Sequence, residues 1–179
     1  MDYGPTGDGY LNWKPSGSSA REKIYRRLDS TLSTDYGVVT AVWAQRVADP
    51  LGADGYGYLC GRFSNSSNST HVRARIDNNT AIIQAVVGGV VTQIGASASV
   101  VCRDGDVWEF VYGNKETLTP REFKLYQNGT LVLNVDDGAA VSQYGASYRQ
   151  CGIGGRADVY FFFNQIWPPK LAGWTWADQ

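Results

Sequence analysis

From Val38 onward the chain is a succession of β-branched and aromatic runs, recurring roughly every eight to twelve residues and separated by Gly, Asn and Asp. The runs are "VVTAVWAQRV", "YGYLCGRF", "THVRARI", "TAIIQAVVG", "GVVTQIG", "ASVVCR", "DVWEFVYG", "REFKLYQ", "TLVLNVD", "RQCGIGG", "DVYFFFNQI" and "AGWTWAD". A parallel βαβ crossover needs about a dozen residues between strands, usually helical, and no comparable helical stretch separates these runs. Antiparallel strands joined by short turns remain, and their apolar sides have to be buried, as a two-sheet β-sandwich or a closed barrel does. The expected class is all-β, an antiparallel sandwich or barrel.

The first nineteen residues, "MDYGPTGDGYLNWKPSGSS", are rich in Gly, Pro and Ser and read as an arm or linker before a domain at residues 20–179, with "YLNW" able to pair at a sheet edge. "SSAREKIYRRLDS" could start a helix capped by Ser19, with Ile24 and Leu28 one turn apart, but it also alternates as a strand with Ile24, Arg26 and Leu28 on one face. A strand is preferred. In "LYQNGTLVL", Asn128 and Gly129 can both adopt positive φ and close a two-residue hairpin. Regular alternation would then put Tyr126, Leu131 and Leu133 on one side and Phe123, Leu125 and Val132 on the other. Either both faces are covered or a bulge shifts the register.

The 179 residues suit one domain with a real core. Sixteen Lys and Arg against 17 Asp and Glu leave a net charge of -1, so no basic stripe exists to release counterions from a phosphate backbone, and nucleic acid is not an expected partner. No apolar run approaches the roughly eighteen residues of a membrane span, and "MDYGPTGDGY" has neither the basic nor the apolar part of a secretion signal. A soluble protein without membrane insertion is expected. Cys60, Cys102 and Cys151 are widely spaced among apolar residues and read as buried free thiols. Four N-x-S/T triplets, at Asn65, Asn68, Asn78 and Asn128, read as coincidence in a chain with this much Asn, Ser and Thr.

"DGDVWEF" is the one stretch with a catalytic look: Asp104, Asp106 and Glu109 follow the E-x-D-x-x-E spacing of a group of jelly-roll glycosidases. A regular strand sends Asp104 and Asp106 to one face and Glu109 to the other. The leading Asp is also a methylene shorter than Glu, whereas a retaining pair stands about 5 Å apart across the sugar. Asp104-Gly105 is ordinary turn chemistry, and Trp108, Phe110 and Tyr112 line one side of the strand that follows. The structural reading is preferred and a non-catalytic protein expected, with glycoside hydrolysis through these three carboxylates as the alternative. His71 is the only histidine, so nucleophile activation by imidazole or a His-based metal site has little support. The Gly88-Gly89 and Gly154-Gly155 pairs read as breaks between strands rather than as phosphate loops. No cofactor is expected, and calcium has no motif in its favour.

Binding is the remaining chemistry. "THVRARI" alternates Thr70, Val72, Ala74 and Ile76 with His71, Arg73 and Arg75, so three long donors leave one face of a sheet, either as a solvated surface or as a recognition row. Tyr56 and Tyr58, flanked by glycines in "DGYGYL", are candidate stacking platforms for the apolar faces of sugars. The candidate ligand-binding set is therefore Tyr56, Tyr58, His71, Arg73 and Arg75. "SNSSNS" is a polar loop tip with the same two readings. Trp43 and Trp108 read as core or subunit contacts, and Phe161 to Phe163 require a second layer, which points to assembly.

The segments "AVWAQRVADP", "LCGRFSNSSNSTHVRARI", "AVVGGVVTQIG", "LYQNGTLVLNVDD", "VSQYGASYRQCGIGG" and "LAGWTWADQ" together resemble the concanavalin A-like (laminin-G-like) jelly-roll domain of minor tail proteins from bacteriophages of mycobacteria and related Actinobacteria. The resemblance spans about residues 35–179. It implies a jelly-roll sandwich on a virion tail tip, assembled in the host cytoplasm as a homo-oligomer such as a trimer. Its implied partners are other tail subunits and a host-envelope glycan or receptor. The acidic metal cluster of legume lectins is missing, and His71-Val-Arg73-Ala-Arg75 lacks the Asn-Pro of the galectin motif.

Overall fold

A computed structural model describes residues 2–5, 11–14, 21–28, 30–45, 55–160, 164–166 and 168–179. The described residues form strands and turns, without helix. In chain order the strands are β1 (Asp2–Pro5), β2 (Leu11–Lys14), β3 (Arg21–Arg26), β4 (Gly37–Gln45), β5 (Tyr56–Phe63), β6 (His71–Ile76) and β7 (Thr80–Val87). They continue as β8 (Val90–Ser99), β9 (Val107–Asn114), β10 (Thr119–Gln127), β11 (Thr130–Asp136), β12 (Gln150–Tyr160), β13 (Asn164–Ile166) and β14 (Lys170–Asp178).

Two seven-stranded antiparallel sheets result. The first runs β1-β2-β14-β4-β9-β10-β11; the second runs β13-β12-β5-β6-β7-β8, with β3 also paired to β12. Neighbours distant in sequence, such as β14 beside β4 and β12 beside β5, make this a jelly-roll sandwich rather than a meander. "YLNW" does join a sheet, since β2 pairs with β14 at Leu11 and Leu171. "REKIYR" is the strand preferred over the helix.

Between the sheets lies one continuous core. Alternate residues supply it: Val39, Ala41 and Trp43 from β4, Trp108, Phe110 and Tyr112 from β9, and Val72, Ala74 and Ile76 from β6. Trp43 and Trp108 pack with ring centroids 5.4 Å apart. Each of the larger of these side chains contributes about 1.5–3 kcal/mol relative to exposure. Gly37, Gly57 and Gly61 are where the chain makes room for these rings; a Cβ at Gly61 would stand 2.4 Å from the Tyr112 ring.

The hairpin of β10 and β11 turns at Asn128 (φ 52°) and Gly129 (φ 77°), both left-handed as a two-residue turn requires. Its register shifts between Leu125 and Tyr126, so Tyr126 faces Leu131 and Leu125 faces Leu133. That bulge resolves the conflict in the alternation: Val132 is the extra residue, and Leu133 joins Phe123 and Leu125 in the core.

Two sequence expectations fail here. Gly154-Gly155 is no break, because β12 runs through it and a Cβ at Gly154 would lie 2.7 Å from the Lys23 carbonyl oxygen of β3. "GVVTQIG" and "ASVVCR" are likewise not separate strands: β8 continues to Ser99 across Gly95, whose φ of 66° bends it, and Val100 to Arg103 leave the sheet. Phe161 to Phe163 lie outside the described residues.

Candidate functional site

β5 and β6 pair antiparallel with Cys60 opposite Arg73 and Tyr58 opposite Arg75. Leu59, Val72, Ala74 and Ile76 fill the main core, so alternation sends Tyr56, Tyr58, Cys60, His71, Arg73 and Arg75 to the other face of the second sheet. Each arginine leans one step along the strand onto a tyrosine. The Arg73 guanidinium carbon lies 4.1 Å from the Tyr58 ring centre, and that of Arg75 lies 3.7 Å from the Tyr56 ring centre. Both stacks are within cation–π range. All five candidate binding residues therefore share one face.

A carboxylate from a remote strand organises the inner rung. Glu22 on β3 accepts Tyr58 O–H at 2.8 Å on one oxygen and Arg73 Nη1–H at 2.8 Å on the other. Gln84 on β7 accepts from Arg73 Nε at 2.9 Å. Glu22 stands opposite Arg156 of β12, and Gly154, which lies between Ile24 and Tyr58 without a side chain, leaves it room to reach Tyr58 diagonally. Tyr58, Cys60 and Phe63, with Ile24 and Tyr56 against them, form a second, smaller core on this face. Burial, above all, pushes the Tyr58 phenol far above its ordinary pKa, with the Glu22 carboxylate adding to the rise.

This inner rung is not the solvated face or the exposed platform that the strand pattern suggested. Tyr58, Arg73 and His71 retain only 3%, 4% and 3% exposure. Gly57, expected to expose the tyrosines, instead packs under Trp43, where a Cβ would stand 2.5 Å from the indole. His71 likewise does not point into solvent. Its Nδ1–H donates to the Asn68 carbonyl at 3.0 Å, its ring lies 4.6 Å from that of Phe63, and Nε2 is buried without a partner. Burial first and the nearby Arg73 charge second push its pKa down to about 4, so the imidazole is neutral at pH 7.

The outer rung is the accessible one. Tyr56 and Arg75 are half-buried, and Arg75 donates from Nη2 to Asp77 at 3.1 Å, while its Nε is buried without a hydrogen-bond partner. A planar guanidinium clamped on an aromatic ring offers a flat apolar surface edged by N–H groups. That is suitable chemistry for a sugar ring, which has an apolar face and a rim of hydroxyls.

The carboxylates of "DGDVWEF" do not converge. Asp106 is 5% exposed and accepts three hydrogen bonds, from Arg103 N, Gln127 Nε2 and Asn128 Nδ2, each 2.7 Å long. It ties the 103–106 turn to the hairpin. Glu109 leaves β9 on the opposite face, where its strand neighbours are Thr40 and Tyr126. Beside the clamp is a cleft of about 350 Å³ lined by Ser99, Val101, Arg103, Asn128 and Thr130 among others. No group of three metal-ligating side chains occurs among the described residues.

Other expectations are met or revised. Cys60, Cys102 and Cys151 are all free and buried. Burial pushes the Cys151 thiol up to about 12, so it is protonated and inert at neutral pH. "SNSSNS" is not a loose tip: Ser64 and Ser67 bridge, and Asn65 is held by the backbone at Ala146 and Ser147. Glu22 and Gln84 were not among the sequence candidates. A signal existed for Glu22, since it shares the strand face of Ile24 and Arg26 and is the one acid among them.

The profile of one family, described as a domain of unknown function (DUF7257), matches residues 2–179. The chain belongs to that family. No curated protein matches it. Among solved structures, alginate lyase A1-II′ superposes with a TM-score of 0.58 at 11% identity, over 100% of this chain and 84% of the enzyme. The CBM40 of a Ruminococcus gnavus sialidase, solved with α2,3-sialyllactose, gives 0.54 at 10% identity over 94% and 89%. The carbohydrate-binding module CBM66 of Bacillus subtilis gives 0.50 at 12% identity over 91% and 81%. At such identities the likeness is one of fold, the jelly-roll sandwich.

Proposed function

We propose that this DUF7257 chain is a non-catalytic glycan-binding module, carried on a bacteriophage tail and engaging the host cell envelope as part of an oligomer with other tail subunits. One observation carries the binding part. Two Tyr–Arg stacks stand side by side on a sheet face away from the main core, the inner one locked by Glu22 and Gln84 and the outer one half-exposed. The buried rung holds the geometry of the accessible rung, so Tyr56 and Arg75 meet a ligand pre-oriented. Arg75 is already paired with Asp77 and Arg73 with Glu22, which suits a neutral or weakly acidic sugar better than a densely charged polymer. Carbohydrate-binding modules of the same fold support this reading. The tail setting rests on the sequence resemblance.

The test is retention on immobilised mycobacterial envelope polysaccharides, run with wild type, Tyr56→Ala and Arg75→Ala. Wild type is retained and both variants are lost. No retention of wild type, or equal retention of all three, overturns the proposal. Release of reducing ends, abolished by Glu109→Gln, would mean the chain is a hydrolase instead.

A further inference from the structure

All the charged side chains of this protein lie outside one long stretch: from Asn78 to Cys102 the sequence contains no Asp, Glu, Lys, Arg or His. That stretch builds β7, the Gly88-Gly89 turn and β8. β8 is the edge strand of the second sheet, ten residues long, and on it Val90 and Val91 are 69% and 46% exposed, next to Val87 at 38%. Edge strands carry a row of unpaired N–H and C=O groups and are ordinarily guarded by charge, proline or brevity. The other edges here follow that rule. β3 carries Arg21, Glu22, Lys23 and Arg26, β1 carries Asp2, β11 carries Asp136, and β13 has three residues. β8 has none of these guards over Val90–Ile94, before Gly95 bends it against Val135 of β11.

We infer that β8 is an interface, and that its occupant is β8 of a second copy, paired antiparallel about a two-fold axis. The pairing of Val87 with Val90 across the two-residue turn is a hydrogen-bonded one, so Val90, Thr92 and Ile94 direct their main-chain groups to β7, whereas Val91 and Gln93 direct theirs outward. The open segment Val90–Ile94 is centred on Thr92. A dyad through Thr92 pairs Val91 of each copy with Gln93 of the other, so that each outward group of the two residues finds one partner. It also sets an uncharged, β-branched edge against another of the same kind, where any of the charged edges would bury an unpaired ion. The two second sheets become one continuous sheet. This interface lies apart from the Tyr–Arg stacks on β5 and β6, so it stands or falls independently of glycan binding.

Sedimentation equilibrium of the full chain tests it, with Val91→Lys and Thr92→Cys as variants. Wild type is expected at twice the chain mass. Val91→Lys is expected at the single-chain mass and folded, with a thermal melt that no longer depends on protein concentration, because residue 91 is exposed in the isolated chain. Thr92→Cys is expected to form a reducible covalent dimer under mild oxidation, since facing residues of a non-hydrogen-bonded pair are within disulfide reach and the native thiols are buried. Should Val91→Lys fail to fold, the Thr92→Cys cross-link decides alone. A single-chain mass for wild type at every concentration, a dimer that survives Val91→Lys, or a dimer whose Thr92→Cys form does not cross-link overturns the inference.

Discussion

Arg73 and Tyr58 are held by the same carboxylate: Glu22 gives one oxygen to the guanidinium and the other to the phenol, while the guanidinium itself lies over the ring. The three side chains come from β6, β5 and β3, so the contact joins an N-terminal strand to the middle of the second sheet. It converts what would be two isolated buried polar groups into a closed network.

Removing the bridge should therefore be costly. Glu22→Ala leaves Arg73 buried with Gln84 and the Tyr58 ring as its remaining partners, and it strips the phenol of its acceptor. A loss of about 2–3 kcal/mol is expected, read as a lower midpoint in urea denaturation with an unchanged slope. Glu22→Gln should recover part of it, because one amide oxygen still accepts.

The outer rung should behave in the opposite way. Tyr56 and Arg75 are half-buried, so Tyr56→Ala and Arg75→Ala should shift stability by less than about 1.5 kcal/mol. Each should nevertheless weaken sugar binding by roughly tenfold, equivalent to about 1.4 kcal/mol, as measured by titration calorimetry on an envelope oligosaccharide. Tyr56→Phe should retain most of the affinity if stacking dominates.

His71 makes stability depend on pH in a defined window. The folded imidazole titrates near 4, well below its usual value of 6.5, so at intermediate pH the unfolded chain binds a proton that the folded one refuses. Stability is unaffected above about pH 7, falls as the pH drops from 6.5 to 4, and levels off below that, with a total loss of about 3 kcal/mol. His71→Gln should flatten this part of the profile. A separate loss is expected at lower pH from Asp178. Partial burial raises its pKa, but hydrogen bonds from Ser33 and Thr34 outweigh that and hold it at about 2, so its stabilisation fades as the pH falls from 3.8 toward 2.

Asp106 is a clamp. Asp106→Ala should cost about 3 kcal/mol by leaving the Arg103 amide and the Asn128 side chain without this acceptor and Gln127 with the Val101 carbonyl alone, and hydrogen exchange should quicken across the 127–130 hairpin. Glu109→Gln, on the other face of β9, should stay within about 0.5 kcal/mol of wild type.

Much of this was legible in the sequence, and the exceptions have physical causes. Alternation in "THVRARI" assigned His71, Arg73 and Arg75 to one face correctly, and Asn128-Gly129 announced its turn, because these are local properties of a strand or a hairpin. Burial on those faces was not legible. Whether a face is wet depends on what lies over it, and the cover over Tyr58 and Arg73 comes from Glu22 and Ile24, more than thirty residues earlier in the chain. The glycines of β12 misled for a related reason: the Gly154-Gly155 pair looks like a breaker in isolation, yet Gly154 serves close packing against β3. The bulge at Leu125/Tyr126 was foreseeable only as one way out of a conflicting alternation.

The most direct measurement is NMR mapping of a bound envelope oligosaccharide on the labelled chain. Shift changes should concentrate on Tyr56, Arg75 and their neighbours on β5 and β6, and with Arg75→Ala should need roughly tenfold more sugar to appear. Changes confined to the cleft at Ser99, Arg103 and Asn128, or none at saturating sugar, would contradict a binding face built on the Tyr–Arg stacks.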